Sequence, residues 1–588
     1  MKHKKENILL KTITAILLTI VGLVILNYLL AERLERFLKK ELAERTSLAT
    51  DGFYALSFDD LSVNVLNGEL RIEGIRLHPD PAVFEQWKNR DSLPDLYIKA
   101  AIQLIDFKGV NLIWKWRHTQ LHFQSFEIND PEIQIFSSKY AWEDVEVEKV
   151  QEKTLYEMLS PYIDLLTVKT LNLNNASVLY NLEEDSSTMT YALDDFTFHA
   201  YGFRLDSLSA KSNRLLYSDQ IDFSIRNLSL PLDNGCYTLN IGELRLNNTD
   251  LNADSIYLKP AYAKMEFAHK HPKHADWFDV RIGGVELKGI DIPGYLSEKV
   301  VRMQEANISD VVLQNFKNQQ IIVPRRIIPM IYEGLQKAPV KFFIPNLNIS
   351  NLFVVYEELA KKGTEPGRLY LTDMYGTFAG FTNIVSSPEQ FIRLDAEGKL
   401  MGEGLFTATW MLPVDSLHDQ FLLHAQMERF DLKALNELIV PLAAVRVESG
   451  QTSDFVFDMD AGSKRATIRM EFPYQNLKAE VLKEKDGELA KNGLLSFLAN
   501  ELVKNNNPDH PDSKGSRLRD VHLTVVRDPY HSTFNYLWQI LRPALAESVG
   551  ISETKQKTAA EAMKFINEVK NLFHKQSKSE ASEEREGK

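Results

Sequence analysis

Three histidines stand close together, His269, His271 and His274 in the stretch AHKHPKHAD. In an extended strand His269 and His271 share a face and offer two imidazoles to a metal, with Glu266 and Asp276 as nearby carboxylates. No cysteine joins them, because the single thiol of the chain, Cys236, lies well upstream. A solvated hairpin tip accounts for the same residues, so no metal site is expected. Met401-Gly402-Glu403-Gly404 is a bare G-x-G with neither a third glycine nor a following helix to cradle phosphate, and turn glycines explain it. Trp114 and Trp116 alternate on one strand face, as core packing or a membrane interface would place them. Asn175-Ala176-Ser177 and Asn348-Ile349-Ser350 match the glycosylation acceptor pattern, but asparagine is a recurrent strand breaker in this chain. No Ser/His/Asp or Cys/His set stands at a recognisable spacing, so the chain is expected to have no catalytic residues, no cofactor and no enzymatic activity.

The informative patterns are structural. Thr12 to Ala31 (TITAILLTIVGLVILNYLLA) is uncharged and mostly apolar, and at 1.5 Å per residue it covers the roughly 30 Å of a bilayer core. It is read as an uncleaved anchor, since a secretory signal has a shorter apolar centre and a small-x-small cleavage site, and Glu32-Arg33-Leu34-Glu35-Arg36 follows instead. Basic residues flank both ends, so charge bias alone leaves the orientation open. A net charge of -13 argues against binding nucleic acid or anionic head groups through bulk charge. The simplest topology keeps the short basic N-terminus inside and exports the rest.

Glu32 to Arg45 keeps helical spacing, and from Phe58 the period changes to two. Leu61, Val63 and Val65 share one face, Asn67-Gly68 suits a tight turn, and Leu70 and Ile72 return. A phrase then recurs: two alternating apolar residues, a polar or glycine break, two more. Its copies are Leu70, Ile72 / Ile75, Leu77; Phe126, Ile128 / Ile133, Ile135; Leu171, Leu173 / Val178, Tyr180; Val285, Leu287 / Ile290, Ile292; and Leu347, Ile349 / Leu352, Val354. A phase slip inside each phrase is what a bulge or sharp bend in a long strand produces. Helix candidates in the strand-rich region are few: Asp144–Leu159, Tyr295–Met303, Arg325–Lys337 and Asp431–Leu442. Further on, Gly493–Lys504, Phe534–Val549 and the amphipathic Thr558–Lys575 read as helices around a strand at Val521–Val526, and Ser577–Lys588 reads as disordered.

A strand with one apolar face must cover it with helices, a second sheet, a partner or a ligand. Helices are too few, which leaves a sheet closed on itself or one curled into a groove filled by acyl chains. About 25 strands at roughly 4.8 Å each would make a ladder on the order of 100 Å long.

The anchor leading into strands, the FEINDPEIQIF phrase at Phe126–Phe136, the block FDLKALNELIVPLAAVRVESGQTSDFVFDM at Phe430–Met459 and the closing VVRDPYHSTFNYLWQILRPALAESVGI at Val525–Ile551 together resemble the AsmA-like family of Gram-negative envelope proteins, related to TamB and YhdP. The short run of regular strands after Ser449-Gly450 departs from that pattern. The resemblance implies a mainly β fold of the repeating-β-groove, bridge-like lipid-transfer class: an N-terminal transmembrane helix, a long curled and largely antiparallel sheet, few short helices and a helical C-terminal cap. Its segments are expected at 1–45 (anchor and juxtamembrane helix), 46–482 (β-groove), 483–575 (cap) and 576–588 (tail). It also implies a single-pass protein of the bacterial inner membrane with its bulk in the periplasm, phospholipid or another acyl-chain lipid as partner, outer-membrane or periplasmic proteins as further partners, and a part in envelope maintenance. The groove candidates are Leu70, Ile72, Ile133, Ile135, Leu171, Leu173, Leu347 and Ile349, with Thr12 and Ala31 bounding the anchor.

Overall fold

The computed structural model describes residues 31–551 apart from 49, 91, 95, 116–117, 140–154, 161–162, 185–186, 210–211, 213, 272–274, 322–325, 388–389, 416–418, 486–487, 492–502 and 512–515. The run from Thr12 lies outside the described residues up to Ala31, which opens a helix. Among the described residues no helix is long and apolar enough to cross a membrane.

The protein is mainly β, with 58% in strands, one large mixed sheet and few short helices. The described helices are α1 (31–48), α2 (Pro81–Lys88), α3 (Leu155–Leu159), α4 (Lys264–Lys270), α5 (Ile292–Glu298), α6 (Ile331–Gln336), α7 (Asn436–Ala443) and α8 (Thr533–Ser548). The chain divides into two compact units, Met1–Ala263 with Asp279–Ile308, and Lys264–Phe278 with Ser309–Lys588.

In the first unit β1 (Tyr54–Ser57) and β2 (Asp60–Asn64) pair with opposite ends of β3 (Glu69–Pro79), which pairs with β4 (Leu96–Lys108). Both β4 and β5 (Asn111–Lys115) pair with β6 (His118–Lys139), and β6 pairs in parallel with β7 (Leu165–Glu184). Antiparallel neighbours follow in chain order: β8 (Ser187–Leu205), β9 (Gln220–Leu232), β10 (Tyr237–Asn247), β11 (Asp250–Pro260) and β12 (Trp277–Lys288), which belongs to this unit from Asp279.

Most of these strands cross a common crease. Apolar alternation slips by one residue partway along each, and the inserted residue is left-handed at Gly74, Asp130, Asn175, Asp195, Asn227 and Ser255, with φ between 49° and 60°. Neighbours slip at the same level, so Ile241 faces Ile256 on one side of the crease and Glu243 faces Asp254 on the other. Asn and Asp tolerate this backbone because their side chains bond locally, which is why the breaks are rich in them. Here the side chains also bond across strands: Asn174 Nδ2 donates to Asn129 Oδ1 at 2.7 Å, and Asn175 Nδ2 to Asp130 Oδ1 at 3.1 Å. Asn175→Gly is expected to leave thermal stability nearly unchanged, whereas Asn175→Val, β-branched in a left-handed position, should cost about 1–3 kcal/mol by thermal denaturation.

One copy of the phrase is corrected. In β12 the strand ends at Lys288, Gly289 (φ 64°) turns the chain, and Ile290 and Ile292 lead into α5. The slip sits instead at Gly283-Gly284, between the pairs Ile256–Ile282 and Asp254–Gly284.

In the second unit β14 (Glu305–Asn318, from Ser309) and β15 (Lys341–Leu359) carry the same left-handed insertion at Asp310 and Asn351, whose side chains are 2.6 Å apart. Beyond β15 the ladder runs antiparallel through β16 (Gly367–Thr382), β17 (Phe391–Leu400), β18 (Gly404–Pro413), β19 (Phe421–Met427), β22 (Phe455–Ala461), β23 (Arg465–Glu471) and β26 (Asp520–Val526). A small sheet of β20 (Phe430–Asp431), β21 (Val445–Thr452), β24 (Tyr474–Lys485) and β25 (Glu488–Lys491) stands apart from that ladder. The three-residue β13 (Val300–Arg302) follows α5.

The helix expected over Tyr295–Met303 is therefore α5, displaced toward the N-terminus. Lys299 ends it in a left-handed conformation (φ 58°), and β13 starts at the next residue, Val300. α6 is shorter than Arg325–Lys337, and of Asp144–Leu159 only α3 falls among the described residues. Asp431–Leu442 opens as a 3-10 turn at Leu432–Leu435 and continues as α7. α2 was not anticipated, although Asp80 accepts from the N–H groups of Ala82 and Val83 and Pro81 opens the first turn, a standard start signal.

Candidate functional site

The register of the first unit aligns its apolar residues into rows. Leu61 faces Ile72, which faces Ile105 and then Ile128; across the parallel pair comes Leu173, and the row continues through Phe198, Phe223, Leu246 and Leu251 to Leu287. Ten strands thus contribute one apolar side chain each at one level. One residue away the level is polar throughout: Arg71, Asp106, Glu127, Asn172, His199, Asp222, Asn247 and Asp250. The sheet has one oily face and one wet one.

Leu70 and Leu171 lie in the next apolar row, joined by Phe107 and Phe126, whose rings stack at 4.5 Å. Ile133 and Ile135 lie beyond the crease, opposite Ala100 and Ile98 on β4 and Val178 and Tyr180 on β7. The slip matters because Asn129-Asp130 both turn to the wet face, so Ile128 and Ile133 stay on the oily one. The crease residues accordingly carry charge pairs: Arg226 bridges Asp195 (3.0 Å) and Glu243 (3.2 Å), and the Arg245 and Arg226 guanidiniums hold the Glu243 carboxyl below the usual carboxylate range.

Among the described residues the oily face of this unit is covered in part. In the ten-strand row Leu61 (1% exposed) and Leu246 (7%) are buried, but the eight others are not. Ile290 and Ile292, at the start of α5, pack near Ala200, Ile221 and Leu246 and cover one corner.

The second unit closes the same kind of face. Its row Phe378, Leu394, Trp410, Leu423, Met459, Ile468 and Leu523 is matched strand by strand. It shares one core with Tyr536, Ile540 and Ala544 of α8, all 0% exposed, and with Tyr332 of α6. Tyr332 donates its hydroxyl to Asp419, which also accepts from the Ser463 N–H at 3.0 Å, and burial beside that carboxylate pushes the phenol up. Leu347 and Ile349 belong to this unit, opposite Phe378 and Gly376 on β16; Leu347 is buried and Ile349 half-buried. The structure therefore distributes the eight candidates over two surfaces, six in the first unit and two in the second.

The histidine group is corrected. Its first two members are not on a strand: His269 is in α4, and His271, buried just after it, packs its ring 5.4 Å from Phe267. Positions two apart on a helix point in different directions, so the shared face is lost. His274 lies outside the described residues, and among those described no group of three or more His, Cys, Asp or Glu is placed to hold a metal. Met401 and Gly402 (φ 51° and 73°) make the turn between β17 and β18. Trp114 falls in β5, and Trp116 lies outside the described residues.

Sequence reasoning missed a polar row on the second unit, His424, Asp458, Arg469 and His522, with His424 Nδ1 2.8 Å from Asp458 Oδ1. Its members are scattered along the chain and meet only through register. The flanking pairs His424–Asp458 and Arg469–Glu471 leave it a half-exposed, charge-balanced surface. No known protein-family model matches the chain, and no curated protein matches it either.

Proposed function

We propose that this protein binds and conducts phospholipid, or another acyl-chain lipid, along the oily face of its first unit. Thr12–Ala31 fixes it in the inner membrane of a Gram-negative cell with its bulk in the periplasm, and its role is envelope maintenance without catalysis. The curled, groove-like form and the helical cap of the fold belong to this reading.

The ten-strand apolar row carries the proposal. Fully burying an aliphatic or aromatic side chain is worth about 1.5–3 kcal/mol, so eight that keep part of their surface exposed, at most about a third each, leave a few kcal/mol of burial unrealised. Each acyl methylene laid on that face contributes about 0.8 kcal/mol in return. The wet face opposite, with its ion pairs, gives the sheet a side that water solvates. A lipid is favoured because the row is uniform: no polar group interrupts it to orient a specific ligand.

A second reading, a non-catalytic scaffold or regulator of outer-membrane protein assembly, is supported by α8, which demonstrates that a helix can cover such a face. Photocrosslinking amino acids at Ile128 and Ile133 in growing cells separate the two. Lipid adducts on both are expected, and protein adducts alone would favour the scaffold.

A further inference from the structure

We infer, resting on the reading of Thr12–Ala31 as a membrane span, that the turn between β2 and β3 and the start of β5 form an edge that dips into the bilayer surface beside that span.

Direction comes from two contacts of α1. Glu35 accepts the Val63 N–H at 2.9 Å, and Lys39 Nζ lies 3.2 Å from Asp60 Oδ1. Moving from Lys39 back to Glu35 along the helix thus moves from Asp60 toward Val63 along β2. Ala31, about 6 Å further at 1.5 Å per residue, comes level with residues 65–68, so α1 begins at the end of the strands where this turn lies.

That end is apolar where turns are normally polar. Val65 is 46% exposed, Leu66 59% and Leu112 61%. The two turns are held together, since the Val110 N–H donates to Gly68 O at 2.8 Å. Gly68 is required there: its φ is 62°, and a Cβ would come within 2.6 Å of the Val110 oxygen. A tied pair of turns presenting large aliphatic side chains next to a span exit is solvated by the interfacial region of a bilayer better than by water. Placed so, the same end of β3, β4 and β6 brings the row of Leu70, Phe107 and Phe126 closest to the lipid.

The test uses the full-length chain with the buried Cys236 changed to alanine, reconstituted in vesicles of phosphatidylethanolamine and phosphatidylglycerol. A polarity-sensitive dye is placed singly at Leu66→Cys, Leu112→Cys, Leu23→Cys within the span, and Leu96→Cys, an exposed residue at the opposite end of β4. Emission from positions 66 and 112 is expected to shift to the blue and lose most of its intensity to a shallow doxyl-labelled phospholipid, position 23 to a deep one, while position 96 emits as in water. Water-like emission at 66 and 112 with quenching at 23 overturns the edge and spares the span. Water-like emission at 23 as well removes the span and the edge with it. Equal quenching at 96 also overturns the edge, because contact would not be confined to that end.

Discussion

Ile128→Asp combined with Leu173→Asp is expected to strip lipid from the purified full-length protein. The two residues face each other across β6 and β7 in the middle of the ten-strand row, and both are half-buried. A carboxylate held against an acyl chain without a partner costs at least about 1.5 kcal/mol, and every 1.4 kcal/mol is a factor of ten, so two of them should lower lipid occupancy by roughly 100-fold. Both side chains keep some contact with solvent, but the two new carboxylates stand opposite each other, so a folding cost of about 1–3 kcal/mol is expected and must be separated from the loss of lipid. Asn172→Asp is the control. It lies between the two rows in level but on the wet face, where its side chain meets His199 Nδ1 at 2.9 Å, and it should leave lipid content unchanged. Lipid per protein by native mass spectrometry, with circular dichroism to verify the fold, decides the matter. Undiminished lipid in the double variant would mean that the cargo does not lie on this face.

Ile540→Asp is expected to release α8 and unfold much of the second unit. Ile540 is 0% exposed, on the same helical stripe as Tyr536 and Ala544, and belongs to the core that includes Met459 and Ile468. Truncation to alanine there costs about 2–5 kcal/mol through lost burial and a cavity, and an unpaired buried carboxylate adds several more. Against a total stability of about 5–15 kcal/mol for a domain, that is enough to undock the helix. Trp538→Asp, on the outer side of α8 at 52% exposure, should cost less than about 1 kcal/mol. Limited proteolysis before and after Thr533, together with thermal melts, separates the cases. A stable, protease-resistant Ile540→Asp protein would show that α8 is not what closes this core.

The contrast between these two substitutions follows from one design used twice. Both units are built from one-faced strands; in the second α8 covers the face, whereas in the first, among the described residues, α5 covers one corner.

Much of this was legible in local pattern. The period-two runs located the strands, and the recurring break predicted the phase slip at Gly74, Asp130, Asn175 and Asn351, because a left-handed backbone selects for glycine, Asn and Asp. In β12 the slip falls at Gly283-Gly284, neither of which is left-handed, whereas the left-handed Gly289 after the strand carries the sequence signal, so the pattern reads one phrase too late. The histidine group was misjudged because α4 is a single short helix whose formation depends on burying Phe267 and Ala268, which no periodicity in seven residues reveals. α5 and β13 were merged for a related reason: Lys299 stops the helix without the glycine that usually marks such an end.

The sequence by itself determined that these strands have one apolar face and a bend, since alternation and backbone handedness are properties of neighbouring residues. Only the tertiary structure decided which faces are closed. That depends on register aligning ten distant residues into one row, on β6 and β7 pairing in parallel, and on α8 returning to meet α6, 202 residues earlier, as the bond from the Ile331 N–H to Thr533 Oγ1 illustrates. Long-range docking of this kind is set by the summed burial of many partners rather than by any local signal, so the partly covered face at Ile72, Ile128 and Leu173 and the closed one at Met459 and Ile468 look alike until the chain is folded.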